Sequence, residues 1–281
     1  MHMSDYRKDD RHKMQLVRLA LYISIAVISI LYTKTVHTDK ETQSRTAAGN
    51  TEESDENDKI GIGGGSMSID SGENGVSPDT DEVNRVLTIP FINQNDYPTG
   101  CESVTSVMAL NYAGCDITVD EFIDEHLKIG KYYWKDGQYY GNSPYDYFIG
   151  NPRGDGFGCF APVIHEALEG AVGENRVKDL TGMTLQQICR EYIANGIPVI
   201  IWATIGMQPS YEGRSWTILE TGKEYTWPAE EHCLLLVGTD NAHYYFNDPK
   251  EETGGTAYGK AVAEERYQEM GRQALAVFPE N

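Results

Sequence analysis

The sequence predicts an α+β fold in two layers, and three observations carry that prediction. The composition, 40% hydrophobic and 23% charged, is that of an ordinary globular chain. Helical periodicity is concentrated in the first half of the region that starts near Val86, and short strand-like runs separated by turn residues fill the second half. Thr99-Gly100-Cys101-Glu102 has capping-box spacing, and Val104, Val107, Met108 and Tyr112 follow at helical intervals. A second box, Thr118 with Glu121, opens a helix with Phe122, Ile123 and Leu127 on one side. Residues 183–194 read as a third helix stopped by Asn195-Gly196. Strands are expected over 197–204, 216–219, 224–227, 232–239 and 243–247; a helix over 262–270 precedes a last strand over 273–278. The stretch 132–148 is too crowded with Gly, Asp and Pro for a regular element. Its aromatic residues read either as a substrate-binding wall or as a loop covering the core.

Upstream the chain changes character twice. Arg7, Lys8, Arg11, Lys13 and Arg18 precede an uncharged apolar run from Leu19 to Tyr32, closed by Lys34. Basic residues before an apolar core are the pattern of an export signal with a cytoplasmic N-terminus. Gln15 to Val17 extend the run toward the roughly 17–25 residues that span a bilayer. No small-x-small cleavage site follows closely. The expected organisation is therefore a cytoplasmic segment over 1–14, a single-pass signal anchor over 15–33, an acidic linker over 34–85 and one globular domain over 86–281. That domain lies outside the cytoplasm, anchored at the cell membrane, or secreted if the signal is cleaved. The linker includes TEESDENDK and GIGGGS, and such a composition buries too little apolar surface to order itself.

A formal net charge of -20 excludes a nucleic-acid partner, because a phosphate backbone requires a lysine- and arginine-rich surface. The five cysteines (Cys101, Cys115, Cys159, Cys189 and Cys233) contain no C-x-x-C pair, so neither a metal nor another cofactor is expected. An odd count in an exported protein leaves at least one thiol unpaired. Nothing in the sequence sets the oligomeric state.

One cysteine has unusual surroundings. In Gln94-Asn-Asp-Tyr-Pro-Thr-Gly-Cys101-Glu, Thr99 is the expected N-cap and Cys101 falls in the first helical turn. Free N–H groups and the helix dipole there lower a thiol pKa, and the same N–H groups can donate to an oxyanion. Gln94 lies on the preceding loop and can lend its amide as a second donor. A thiol nucleophile needs a base, and the base needs an orienting group. His232 starts an apolar strand; Asp248 ends the next one, sixteen positions later, across a turn at Asp240-Asn241. Antiparallel pairing makes the two neighbours. A thiol at a helix start, with an imidazole and a carboxylate on adjacent strands, is the geometry of a papain-like site.

QNDYPTGCESV, GNPRGDGFGCFAPVI, NGIPVIIWATIGM and EEHCLLLVGTDNAHYYFNDP, in this order, resemble blocks of the peptidase C39-like family, relatives of the bacteriocin-leader-processing peptidases. The resemblance extends from about Leu87 to Phe278. It implies a papain-like fold with Cys101 as nucleophile, His232 as base, Asp248 as third member and Gln94 as oxyanion donor. No ATP-binding motif occurs in the sequence, so the resemblance is to the stand-alone branch and does not carry over transport-coupled leader processing.

Several alternatives stay open at this level. Cys115, Cys159, Cys189 and Cys233 read as small core hydrophobes, with a Cys115–Cys159 disulfide as the other reading of that pair. His165 is the second candidate base. Asn247 competes with Asp248, because a one-residue slip exchanges the faces of a strand. Glu231 and Asp240 read as solvated, and Trp216 and Trp227 either line the cleft or pack. The function expected is a membrane-anchored, extracytoplasmic cysteine peptidase acting on peptide or amide bonds. The competing reading is a catalytically silent module of the same fold that binds a peptide or glycan.

Overall fold

The computed structural model describes residues 83–280. The expected cytoplasmic segment, the anchor and nearly all of the linker lie outside them. Among the described residues no helix is long and apolar enough to cross a membrane.

The domain opens with β1 (Arg85–Val86), followed by helices α1 (Cys101–Tyr112) and α2 (Val119–Glu125). Short strands follow: β2 (Ile129–Gly130), β3 (Tyr132–Lys135), β4 (Gln138–Gly141), β5 (Phe148–Gly150) and β6 (Gly156–Gly158). Next come α3 (Ala161–Val172), β7 (Val177–Asp179), α4 (Leu185–Glu191), β8 (Val199–Thr204), β9 (Tyr211–Ile218) and β10 (Glu224–Ala229). The chain ends with β11 (Glu231–Thr239), β12 (His243–Asn247), β13 (Thr256–Gly259), α5 (Lys260–Glu269) and β14 (Ala274–Val277). Helices and antiparallel strands share one core, as the sequence predicts.

The main sheet has the order β13-β12-β11-β8-β14-β7, with β1 also paired to β11, and all its pairings are antiparallel. Every residue of β8 and β11 is buried. That is why VIIWAT and HCLLLVG read as continuous apolar runs rather than alternating ones: both faces are covered. Helix α1 lies against β11, β8 and β14. Its first ten residues are all buried, polar ones included, so it is not amphipathic. Small side chains permit this close approach, and Thr105 Oγ1 donates to the Cys233 carbonyl at 3.1 Å.

The stretch 132–148 departs from the sequence expectation. It contains a β-hairpin, β3 and β4, turning through Asp136 (φ 50°) and Gly137 (φ 88°). Two consecutive left-handed residues in an Asp-Gly pair make the tight turn that matches strand twist, and this signal was present in YYWKDGQYY. The hairpin joins a second sheet, β10-β9-β4-β3. One face packs: Tyr132 meets Tyr139, Phe157 and Trp216 at ring-centroid distances of 5.2, 4.9 and 5.6 Å. Trp216 and Trp227 are buried, and the Trp216 indole N–H donates to the Asn142 carbonyl at 3.1 Å. The other face is open, with Trp134 59% exposed. Cys115 and Cys159 are both free thiols, so the disulfide alternative falls.

The capping box expected at α2 forms in full: Glu121 N–H donates to Thr118 Oγ1 at 3.2 Å and Thr118 N–H to Glu121 Oε2 at 2.9 Å. Thr118→Ala should therefore cost about 1 kcal/mol of stability. The check is a urea titration, in which the midpoint falls while the m-value stays constant.

Candidate active site

The first turn of α1 is built differently from the sequence expectation. Gly100, not Thr99, is the N-cap, and no side chain caps the helix. Thr99 Oγ1 instead donates to the carbonyls of Asn151 and Gly154 at 3.0 and 3.2 Å. The loop between β5 and β6 that supplies those carbonyls is held to α2 by Arg153, which pairs with Asp120 and Asp124 at 2.7 and 2.9 Å. Gly156 is needed there, because a Cβ at that position would lie 2.8 Å from Thr99 Oγ1. The loop therefore takes the hydroxyl that the helix would otherwise have used.

Glu102, released from capping, turns inward. It is fully buried and accepts the Cys159 N–H on Oε1 at 2.6 Å. Its own backbone N–H and the Cys101 thiol also donate to it, the thiol reaching Oε2 at 3.3 Å. Glu231 is only 7% exposed, where the sequence reading had it solvated. The carboxylates of Glu102 and Glu231 and the Cys101 sulfur all lie within 4.8 Å of one another, and Glu231 Oε1 has no hydrogen-bond partner. Gly158 (φ 131°) closes this pocket; a Cβ there would stand 2.3 Å from Glu102 Oε1.

Cys101 is 6% exposed and sits at the start of α1, facing the peptide N–H of Cys233, the residue after His232. Its ionisation runs against the sequence expectation. Burial first, then the charges of Glu102 and Glu231, push the thiol pKa well above the ordinary value, and the Cys233 N–H offsets only part of this. Burial raises the Glu102 carboxyl as well, to about 7, against the donors that lower it, so it stays a stronger acid than the thiol.

His232 and Asp248 meet as expected: His232 Nε2 lies 2.7 Å from Asp248 Oδ1, and each residue is 1% exposed. Burial raises the Asp248 pKa, but the His232 bond and charge, the Lys250 N–H at 3.0 Å and the Tyr258 hydroxyl at 3.2 Å outweigh it and leave the group below its ordinary value. Asn247 faces elsewhere, towards the Ile89 carbonyl and the Gly255 N–H, so the register alternative resolves to Asp248 as the partner of His232. His165 pairs with Glu169 on α3 and meets neither of them. Asp240 is not simply solvated: it caps the β11–β12 turn through the N–H groups of Ala242 and His243.

Gln94 is drawn to the same neighbourhood, its backbone N–H donating to the Pro249 carbonyl at 2.7 Å. The side-chain amide is folded locally, with Nε2 donating to the Tyr97 and Pro98 carbonyls at 3.4 and 3.3 Å and Oε1 buried without a partner. Thus Gln94 is tied to the residue after Asp248 and Cys101 faces the residue after His232, but of the four expected residues only His232 and Asp248 are bonded to each other. Among the described residues no hydrogen bond joins the thiol to His232. Glu102, Glu231, Gly158 and Tyr258 are neighbours of the site that the sequence reading missed. The signal for Glu231 was its place at the head of the apolar run Cys233 to Val237, in a strand buried on both faces.

Comparison with known proteins gives a concordant picture. Residues 86–275 match the model of the Peptidase_C39 like family. The uncharacterized protein YvpB of Bacillus subtilis (strain 168) is 28% identical over 199 residues, covering 68% of this chain and 75% of that protein. A crystal structure assigned provisionally as a C39-like peptidase, from Bacillus anthracis, superposes with a TM-score of 0.62 at 25% identity, over 72% of this chain and all of that one.

The paired carboxyls set a pH dependence of stability. Burial, and for Glu231 also the charge of Glu102, raises both pKa values above the ordinary 4.5. Above pH 4.5 the folded state keeps protons that the unfolded chain releases, so stability falls as pH rises, by about 1.4 kcal/mol per pH unit for each proton kept, until pH passes the folded value, about 7 for Glu102 and higher for Glu231. Asp248 acts in the opposite sense, contributing stability above its ordinary 3.8 that is lost as pH falls through its lower folded value. The melting temperature should peak in mildly acidic solution and decline towards neutrality. Glu231→Gln should flatten that decline in a calorimetric pH series.

Proposed function

This chain belongs to the Peptidase_C39 like family, and from that premise we propose that it is a cysteine peptidase or related amide hydrolase. The observation that carries the reading is the buried 2.7 Å bond between His232 and Asp248, beside a helix that begins at a cysteine. Asp248 engages Nε2 and so leaves Nδ1 to serve as the base. In the reaction the Cys101 side chain turns from Glu102 towards Nδ1 and gives up its proton. The thiolate attacks the substrate carbonyl, and the developing oxyanion is held by the Cys101 N–H and by the Gln94 amide once it leaves the Tyr97 and Pro98 carbonyls. His232 passes the proton to the leaving amine. Water, deprotonated by His232, then hydrolyses the thioester and restores the thiol. Location outside the cytoplasm on an N-terminal anchor belongs to the same proposal. Its support is the basic segment before the apolar run at residues 19–32.

One observation favours the second reading, a silent peptide- or glycan-binding module: the thiol is directed at Glu102 at 3.3 Å, in surroundings that raise its pKa. The two readings separate by experiment. Wild type should hydrolyse members of a peptide library, Cys101→Ala should abolish turnover, and Asp248→Asn should lower kcat by roughly 10²–10⁴ through loss of the oriented base. Turnover that survives Cys101→Ala would remove the nucleophile assignment. No turnover of any peptide, with ligand binding equal in wild type and Cys101→Ser, would establish the silent module.

A further inference from the structure

Resting on the hydrolase reading, we propose that Glu102 and Glu231 form a proton-sharing pair that positions the nucleophile, with ionised Glu102 holding Cys101 as an inward thiol and Glu231 keeping the pair's single proton. The geometry assigns the charges. Glu102 receives three donors, the N–H groups of Cys159 and of Glu102 itself and the Cys101 thiol, and a carboxylate is the form that accepts three. Glu231 receives none on Oε1, which is buried, and a protonated acid is the form that tolerates such a site. Two ionised carboxylates within 4.8 Å in a dry pocket would repel strongly, and carboxylates that share a site ionise one at a time.

Among the described residues no cation compensates the pair. The groups facing Cys101 are Glu102 on its own helix and Glu231 and Cys233 on β11; Cys159, just after β6, holds Glu102 through its N–H. Neither carboxyl has a Lys, Arg or His among the groups that shift it. Strand alternation sends Glu231 and Cys233 to one face of β11 and His232 to the other. The sulfur at the start of α1 has the Glu102 carboxylate as its partner, which keeps it a thiol; on the hydrolase reading it leaves that partner for His232, which takes its proton. Glu102 and Glu231 are positioning residues in this scheme, because they act on the sulfur and not on substrate.

The test is peptide-resolved alkylation of Cys101 by iodoacetamide across pH on the full chain, with peptide turnover measured in parallel. Glu102→Gln replaces an anion by an amide that can donate to sulfur. It should lower the midpoint of the Cys101 alkylation profile by about one pH unit or more. Glu231→Gln replaces a neutral acid by a neutral amide, and its shift should be less than half as large. An infrared spectrum of the wild type at neutral pH should show a protonated carboxylic acid band that Glu231→Gln lacks, a readout that needs no Glu102 variant to fold. An unmoved or raised midpoint in Glu102→Gln, an equal shift in Glu231→Gln, or absence of the acid band would each overturn the proposal. So would uptake of one Zn²⁺ by wild type in equilibrium dialysis that is lost in Glu231→Gln, since a metal would then occupy the place of the proton. The hydrolase reading fails separately, by turnover that survives Cys101→Ala while the thiol titration stays as described.

Discussion

The beginning of α1 can stabilise one negative charge, and the architecture of the site follows from which side chain carries it. Free N–H groups and the helix dipole favour an anion there, by roughly 0.3–1 kcal/mol at a surface and up to about 2 kcal/mol when partly buried. Two acidic groups compete for the position, the Cys101 thiol and the Glu102 carboxyl, and the carboxyl is intrinsically the stronger acid by several pKa units. With the Thr99 hydroxyl bound to the β5–β6 loop, Glu102 is free to turn in and take the N–H groups of Cys159 and of its own residue. The thiol then becomes a donor. Its pKa rises first through burial and then because the charge that stabilises the helix start stands beside it.

The same competition explains how the site is divided across β11. Alternation along the strand sets Glu231 and Cys233 on one side and His232 on the other. Asp248, just past the end of β12, fixes the imidazole by its Nε2 bond and is itself fixed by Lys250 N–H and Tyr258. In that half both carboxylate oxygens of Asp248 have partners. In the other half Glu231 Oε1 and Gln94 Oε1 are buried without partners. An unsatisfied buried oxygen costs on the order of 1–3 kcal/mol, so the freedom to rearrange lies with the sulfur, the paired acids and the Gln94 amide.

Much of this was legible in the sequence, and what was not has physical reasons. The Thr118 capping box, the apolar runs of β8 and β11 and the sixteen-residue interval from His232 to Asp248 each rest on local rules that tertiary structure left intact. The Thr99–Glu102 box met those rules equally well and did not form, because carbonyls more than fifty positions away captured the hydroxyl. Local spacing cannot register such a competitor. The β3–β4 hairpin is a different case: its Asp136-Gly137 turn was visible, but the Gly, Asp and Pro residues of the stretch counted against any regular element, although two of them form the turn. Glu231 was read as solvated from residue type alone, since charged residues are rarely buried. Its setting, adjacent to an uninterrupted buried strand, was the better guide.

Burial of two acids beside a thiol also bears on whether the domain does chemistry. A fold that only binds gains nothing from them: filling such a pocket with apolar side chains of similar volume is commonly neutral or stabilising by about 1–4 kcal/mol. Here Gly158 adopts a left-handed backbone to leave room for Glu102, so the surrounding loop is shaped to the carboxylate rather than merely tolerating it. Local rules are most often broken where a protein reacts with something. A buried acid pair with an orphaned oxygen, a thiol as hydrogen-bond donor and a clamped imidazole one residue away along the same strand make three such departures within a few residues. A packing requirement explains none of them, whereas control over when a sulfur loses its proton explains all three.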